Sequence, residues 1–356
     1  MERIRVDLGI NSYDIIFVWD KLGDMAGELK KVLSTRRIMV ITDDNVSNFY
    51  LETVKAAIDP HYDVRYVSLT PGEQSKSLEQ AQRLYTKALE FGLDRHSAIM
   101  ALGGGVVGDI AGFVASTYMR GIPYVQVPTS LLAQVDSSIG GKVAVNHPQA
   151  KNIIGSFYQP KLVYIDGKTL STLPDRQLYS GLAEVIKYGI IYDGQFLNWL
   201  EERMEDIIML DRDSVLHCLK RCCRIKAMVV KQDEREAGMR AILNFGHTIG
   251  HGVESTTGYR KYTHGEAVAI GMVYASKMAL DMGMIDKDYY HRIKNLIRRA
   301  HLPTEIENLD TKALIQAMSK DKKAVDGRIT FILPTAVGRV GIFHDVHPEK
   351  ITKALA

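Results

Sequence analysis

MALGGGVVGDIAG, residues 100–112, runs from an apolar, strand-like segment through three consecutive glycines into a helix-like one. A glycine turn between strand and helix lets backbone N–H groups approach a pyrophosphate closely, and the helix N-terminus adds partial positive charge. The spacing departs from G-x-G-x-x-G, so the weight lies on its position in the chain. From residue 36 to about 130, short apolar runs alternate with amphipathic stretches. RRIMVIT, DVRYVSL, SAIMALGG and PYVQVPTS have strand length and aliphatic or β-branched content, whereas NVSNFYLETVKAAI, SLEQAQRLYTKALEFG and VVGDIAGFVAST have helical spacing. Such alternation implies crossover connections and a parallel sheet with helices on both faces. RIRVDLG and YDIIFVW, ahead of it, are expected as a hairpin or edge strands. The reading is an α/β, Rossmann-like nucleotide-binding domain over residues 1–170.

After IDGKTLSTLPDRQ the period changes. LAEVIKYGIIYD, NWLEERMEDIIML, SVLHCLKRCCRIKAMVVKQDE, the HTIGH stretch, EAVAIGMVYASKMALDMG and YYHRIKNLIRRAH all read as helices, followed by a short strand pair, RITFILPT and GRVGIF. Residues 171–356 are therefore expected as a mainly α-helical C-terminal domain. The cleft between two such domains is the expected place for chemistry.

A chain of 356 residues is long enough for two domains of ordinary size. Lys and Arg total 45 against 42 acidic residues, and a net charge of +3 gives no reason to expect a nucleic-acid partner. The N-terminus lacks a basic-then-apolar leader, and no stretch of about eighteen apolar residues follows, which implies a soluble, cytoplasmic protein with no membrane partner. Cys218, Cys222 and Cys223 crowd one helical stretch, a pattern that fits buried small side chains in a reducing compartment better than disulfides or a metal site.

Several constellations carry chemistry. Asp43 and Asn45 follow an early strand, at the end where open α/β sheets collect ligands, and could meet a ribose or adenine. TSLLAQVDSSIGGKVAVNHPQAKNIIG, residues 129–155, sets Thr129, Asp136, Lys142, Asn146, Lys151 and Asn152 among glycines and apolar residues, a plausible cradle for phosphate oxygens. In SGLAEVIKYGII, Glu184 and Lys187 stand three apart on an otherwise apolar helix, so both charges need a purpose. LNFGHTIGHGVE places His247 and His251 four apart on one helix face, and YTHGEAVAIGM adds His264. Glu184 with His247 and His264 would give three N/O ligands, the count of a catalytic zinc site, although spacing alone does not choose His264 over His251. Glu236, Arg240 and Asn244 lie just upstream, the last two by about two turns and one turn if the helix is continuous. Lys226, Lys320, Lys322 and Lys323 add cations, which suits an anionic substrate.

At GGGVVGDIAGFVASTYMRGI, VPTSLLAQVDSSIGGKVAVN, GLAEVIKYG, LNFGHTIGH and THGEAVAIGM the sequence resembles the 3-dehydroquinate synthase family, in order and over nearly the whole chain. The resemblance implies an NAD-binding domain joined to a helical domain that binds zinc or cobalt. It implies conversion of 3-deoxy-D-arabino-heptulosonate 7-phosphate to 3-dehydroquinate in the shikimate pathway. NAD would oxidise an alcohol transiently, phosphate would leave by elimination, and the ketone would be reduced before aldol ring closure. Matched position by position, the metal ligands are Glu184, His247 and His264, and His251 becomes a substrate-side group. Lys142, Asn152 and a lysine of the Lys322–Lys323 run would hold the substrate phosphate, and Lys226 and Arg240 its carboxylate. Asp136, Lys187, Glu236 and Asn244 match substrate or acid–base positions, and Arg120 is expected to reach the neighbouring subunit's site in a homodimer. For NAD the matching positions are Asp43, Asn45, Glu73, Lys76, Gly105, Asp109, Thr129 and Lys151, joined around the glycine turn and cradle by Gly103, Gly104, Ser130 and Lys142. Alternatives are another sugar phosphate cyclase, which would be expected to differ at the carboxylate- and phosphate-binding positions, and a metal-dependent polyol or glycerol dehydrogenase, which would give net NADH. A non-catalytic NAD- or metal-binding protein would have no use for Lys187, Glu236 and His251 beside the ligands.

Overall fold

A computed structural model describes residues 1–236, 238–307, 310–319, 329–344 and 346–355. The chain forms two compact units, Met1–Leu173 with Val215–Arg235, and Pro174–Ser214 with Glu236–Ala356. Val215–Arg235 thus cluster with the α/β unit although they lie beyond residue 170.

In the first unit the elements are β1 (Glu2–Val6), β2 (Tyr13–Val18), α1 (Ala26–Val32), β3 (Arg37–Asp43), α2 (Asp44–Ile58), β4 (Asp63–Leu69), α3 (Leu78–Glu90), β5 (Ala98–Gly103), α4 (Gly105–Thr117), β6 (Tyr124–Pro128), β7 (Lys142–His147), β8 (Ala150–Phe157) and β9 (Leu162–Asp166). Seven strands make one sheet in the order β1-β2-β9-β6-β5-β3-β4. β1 and β2 form the expected antiparallel hairpin, and the remaining pairings are parallel. The chain steps outward from β3 to β4, then returns to the other side of β3 as β5. The carboxyl ends of β3 and β5 therefore flank a topological switch point, where ligands of open α/β sheets bind. Strands rich in Ile, Val and Met are buried on both faces, and separate apolar clusters fill the two sides of the sheet.

Residues 129–155 are more regular than a phosphate-binding loop. Ala133–Ser137 form a π-helical turn, and β7 and β8 pair as an antiparallel hairpin. Its alternation is obscured in the sequence because most of β8 is exposed or half-buried. The hairpin seats on α4 through Gly112, where a Cβ would come within 2.3 Å of Val143 Cγ1. β9 also goes unforeseen, hidden in the apolar run before the change of period.

α7 (Arg212–Gln232) runs from the second unit into the first. The second unit also holds α5 (Asp175–Ile191), α6 (Gly194–Ile208), α8 (His247–Thr256), α9 (His264–Asp281), α10 (Lys287–Arg299), α11 (Thr311–Ser319), the hairpin β10 (Phe331–Ala336) and β11 (Arg339–Phe343), and α12 (Pro348–Leu355). No continuous helix joins Arg240 and Asn244 to His247. Met239–Asn244 are a 3-10 turn, and Gly246 breaks the chain direction at φ 79° before α8 starts. Gly246 is required there, because the left-handed region costs a residue with a Cβ.

Backbone-to-backbone contacts fix α5, α8 and α9. A Cβ at Gly271 of α9 would lie 1.9 Å from Gly246 O, and one at Gly265 would lie 1.9 Å from Ser180 O of α5. Gly271→Ala is expected to cost about 1–3 kcal/mol through overpacking. Gly27→Ala, in α1 with nothing within 4 Å of the new atom, is expected to be neutral or stabilising by about 0.5–1 kcal/mol. Chemical-denaturation midpoints check the pair, and equal midpoints would contradict the packing described.

Candidate active site

Three helices of the second unit each contribute one donor to a compact cluster. Glu184, at the middle of α5, is fully buried; His247 and His264 are the first residues of α8 and α9. One ligand atom from each lies within 4.8 Å of the others. His247 Nε2 stands 3.5 Å, and His264 Nε2 3.6 Å, from Glu184 Oε1. Zinc–ligand bonds of about 2.0–2.2 Å at tetrahedral angles separate neighbouring donors by roughly 3.3–3.6 Å, so this set fits a divalent ion. The other ring nitrogen of His247 lies 3.1 Å from Phe245 O, an arrangement that places the proton on Nδ1 and the lone pair on Nε2. For His264, burial alone would lower the pKa, but hydrogen bonds and charge from Glu184 and Glu254 outweigh it and raise it to about 10. Two carboxylates around that ring make a place for positive charge.

His251 is on the same face of α8, its ring centroid 5.5 Å from that of His247 and 6.4 Å from that of His264. It lies beside the three-donor cluster and is not among its members. Lys187 is buried one turn from Glu184 and ion-paired with it. Asn244 Nδ2 donates to Glu236 Oε1 at 3.0 Å, and Arg240 is almost wholly buried.

In the first unit Asp43, Gly103 and Thr129 lie at the carboxyl ends of β3, β5 and β6, and the remaining groups lie on helices, turns and the β7–β8 hairpin. Asp43 caps α2, its Oδ1 accepting from Val46 N at 3.0 Å, and burial raises its carboxyl pKa. Asn45 is exposed in the first turn of that helix. Gly103 ends β5, and Gly104 caps α4 without any side-chain hydrogen bond or first-turn acid. A Cβ at Gly104 would come 3.3 Å from Ser130 Oγ, and one at Gly105 3.0 Å from Ser137 Oγ, so bare backbone faces two hydroxyl side chains there. Thr129 N donates to Gly103 O at 3.0 Å, tying the turn after β6 to the one after β5. This geometry fits a pyrophosphate at a helix N-terminus. Lys76 pairs with Asp109 in α4; burial nevertheless raises the Asp109 carboxyl above its ordinary range. Glu73 accepts from Asn146 Nδ2 at 2.8 Å, and Asn152 N donates to Asn146 Oδ1 at 2.8 Å. Asn152 holds a left-handed φ of 53° in β8, Lys151 precedes it, and Lys142 opens β7. Lys226 Nζ donates to both the backbone O and Oδ1 of Asp136, each at 2.6 Å. Arg120 is exposed on a turn where Met119, Arg120 and Gly121 all have positive φ. Lys320, Lys322 and Lys323 lie outside the described residues.

The N-terminal model of 3-dehydroquinate synthase matches residues 66–180, and the C-terminal model matches residues 181–324. A 3-dehydroquinate synthase from Thermoanaerobacter sp. (strain X514) is 50% identical over 356 residues, covering 100% of both chains. The chain belongs to the 3-dehydroquinate synthase family. Solved structures similar to this family member include the 2-epi-5-epi-valiolone synthase ValA from Streptomyces hygroscopicus subsp. jinggangensis 5008 with NAD+ and Zn2+ bound, at 29% identity and a TM-score of 0.89, covering 96% of this chain and 95% of that one. A 2-deoxy-scyllo-inosose synthase complexed with carbaglucose-6-phosphate, NAD+ and Co2+ aligns at 25% identity and a TM-score of 0.90, covering 99% of each chain.

Sequence reasoning missed Glu254, which faces His264 Nδ1 at 3.6 Å. The signal was available: Glu254 follows His247 by seven residues and His251 by three, on one stripe of α8. For this 3-dehydroquinate synthase family member, His247→Ala is expected to lose bound metal and His251→Ala to retain it. Metal analysis by mass spectrometry after dialysis checks this, and equal loss in both variants would show that the two histidines share one role.

Proposed function

We propose that the chain is a 3-dehydroquinate synthase, a phosphate-eliminating lyase that converts 3-deoxy-D-arabino-heptulosonate 7-phosphate to 3-dehydroquinate and phosphate. Half of all positions agree with the Thermoanaerobacter enzyme across both full chains, and that observation carries the reading. The Glu184–His247–His264 cluster and the uncapped glycine turn add donor chemistry for a divalent zinc or cobalt ion and for NAD. When bound, NAD takes up and returns a hydride while the metal polarises the substrate's hydroxyl oxygens as a Lewis acid.

The chain's own residues then bind, orient and move protons. In the second unit, Glu184, His247 and His264 hold the metal. Lys187 neutralises Glu184 in its buried setting and presents N–H donors to substrate oxygens. His251, beside the ligands, is assigned to proton transfer at the substrate, and the hydrogen-bonded pair Glu236 and Asn244 to substrate or acid–base positions. Arg240 is assigned to the substrate carboxylate, which a planar guanidinium grips in two directions. In the first unit, Lys226 shares that carboxylate role, with Asp136 fixing its ammonium. Lys142 and Asn152 are assigned to the phosphate, together with Lys322 or Lys323. Asp43, Asn45, Glu73, Lys76, Gly103, Gly104, Gly105, Asp109, Thr129, Ser130, Lys142 and Lys151 are assigned to NAD.

Phosphate release from the heptulosonate substrate is expected to need NAD and to fall to background with a chelator, while absorbance of NADH stays flat through many turnovers. One NADH per substrate consumed would place the chain with the dehydrogenases.

The reading extends to a cytoplasmic homodimer. No helix among the described residues is long and apolar enough to cross a membrane. Two consecutive non-glycine residues at positive φ, Met119 at 51° and Arg120 at 68°, hold a strained turn of the kind retained at functional positions. Arg120 is assigned to the partner subunit's substrate. Mixing Arg120→Ala and Lys187→Ala chains is expected to restore part of the activity that each lacks, because a mixed dimer assembles one intact site. No recovery after verified subunit exchange would assign Arg120 to its own chain.

A further inference from the structure

His264 is held end-on between two carboxylates. Its Nε2 faces Glu184 Oε1 and its Nδ1 faces Glu254 Oε2, each at 3.6 Å. A neutral imidazole offers one lone pair, and whichever nitrogen carries the proton cannot bind metal. The charge of a carboxylate 3.6 Å from Nδ1 favours the tautomer with the proton there, which leaves the Nε2 lone pair toward Glu184 and His247.

The setting makes this carboxylate costly, and the His264 ring is one neighbour that offsets the cost. Glu254 is 7% exposed, and a buried carboxylate requires a positively charged or hydrogen-bonding neighbour. It lies in the second half of α8, whose first residue is His247, whereas His264 is the first residue of α9. The approach of the two helices is set by backbone contacts: a Cβ at Gly250 would stand 3.0 Å from Ala267 O, and one at Gly271 1.9 Å from Gly246 O. Glu254 and His264 thus meet across a rigid contact, not through long flexible side chains on the surface.

Charge balance points the same way. α8 and α9 both start at the cluster, and helix N-termini carry partial positive charge that opposes a cation. Glu184 offsets part of this while paired with Lys187. A second carboxylate behind His264 adds negative charge without occupying a coordination position. His247 Nδ1, by comparison, meets the neutral carbonyl of Phe245.

We infer that Glu254 is a positioning residue for the metal centre: it orients His264, fixes its tautomer through Nδ1, and strengthens Nε2 as a ligand. The inference rests on the metal reading of the Glu184–His247–His264 cluster. It assigns Glu254 no contact with substrate or NAD.

The test uses the full-length protein, with Zn2+ affinity measured by competition with a chromophoric chelator and the visible absorption spectrum recorded for the Co2+-loaded form. Glu254→Ala is expected to weaken Zn2+ binding by about 10–100-fold, the range for loss of such a partner, and to shift the Co2+ bands. Glu254→Gln keeps the shape and an acceptor oxygen but removes the charge; its affinity should fall between those of Glu254→Ala and the parent. NAD affinity, followed by fluorescence titration, should be unchanged in both. If the parent binds neither ion, the metal reading itself fails. If the parent binds and both folded variants match its affinity and spectrum, the role given to Glu254 is overturned, and a lowered melting temperature of the metal-free protein as the sole effect would likewise reduce it to packing.

Discussion

Backbone contact between α8 and α9, where Gly271 leaves no room for a Cβ beneath Gly246 O, is the constraint on which the metal centre depends. Ligand atoms from three separate helices lie within 4.8 Å of one another, and side-chain rotation alone does not hold that geometry. Helices that touch through glycine have no side-chain layer to compress or tilt. The close approach of Gly265 to Ser180 adds α5 to the same rigid group. Within it, the buried Glu184–Lys187 pair carries a desolvation cost that packing of similar size would avoid. A site that must hold a divalent ion and an anionic substrate gives both charges a reason to remain.

The first unit uses the same device for a different ligand. Glycines at 103–105 end β5 and begin α4 at the point where strand order reverses, so uncapped N–H groups face the crevice beyond the strands. Larger residues at Gly104 or Gly105 would push against Ser130 and Ser137. The two turns are joined through Thr129 and Gly103, which keeps the hydroxyls and the helix start in register. Shape alone is shared across many chemistries; family membership and the donor set turn this architecture into a phosphate-eliminating lyase.

Much of this was legible in the sequence for physical reasons. Strands buried on both faces read as continuous apolar runs, so β3, β5 and β6 stood out, and the helical period of α5, α9 and α10 was equally plain. Glu184 and Lys187 were conspicuous as charges in an apolar helix. Other features lacked a local signal. β7 and β8 pair across a turn with β8 mostly exposed, so no alternation marked them. The break at Gly246 looked like one more residue of a helix, because a left-handed φ leaves no trace beyond the glycine itself. α7 has the period of any amphipathic helix, and its membership in the first unit depends on long-range packing, with Cys223 Sγ donating to Gln134 O at 3.3 Å. The choice of His264 over His251 was likewise tertiary: α9 brings a residue seventeen positions away to where the next turn of α8 does not reach.

Anomalous diffraction at the zinc edge, from crystals of the protein grown with one equivalent of Zn2+, tests the central claim most directly. The account predicts a single strong peak about 2.0–2.2 Å from a Glu184 carboxylate oxygen and from Nε2 of both His247 and His264, with His251 outside bonding distance. A peak bonded to His251 in place of His264, or no peak within reach of Glu184, would contradict it.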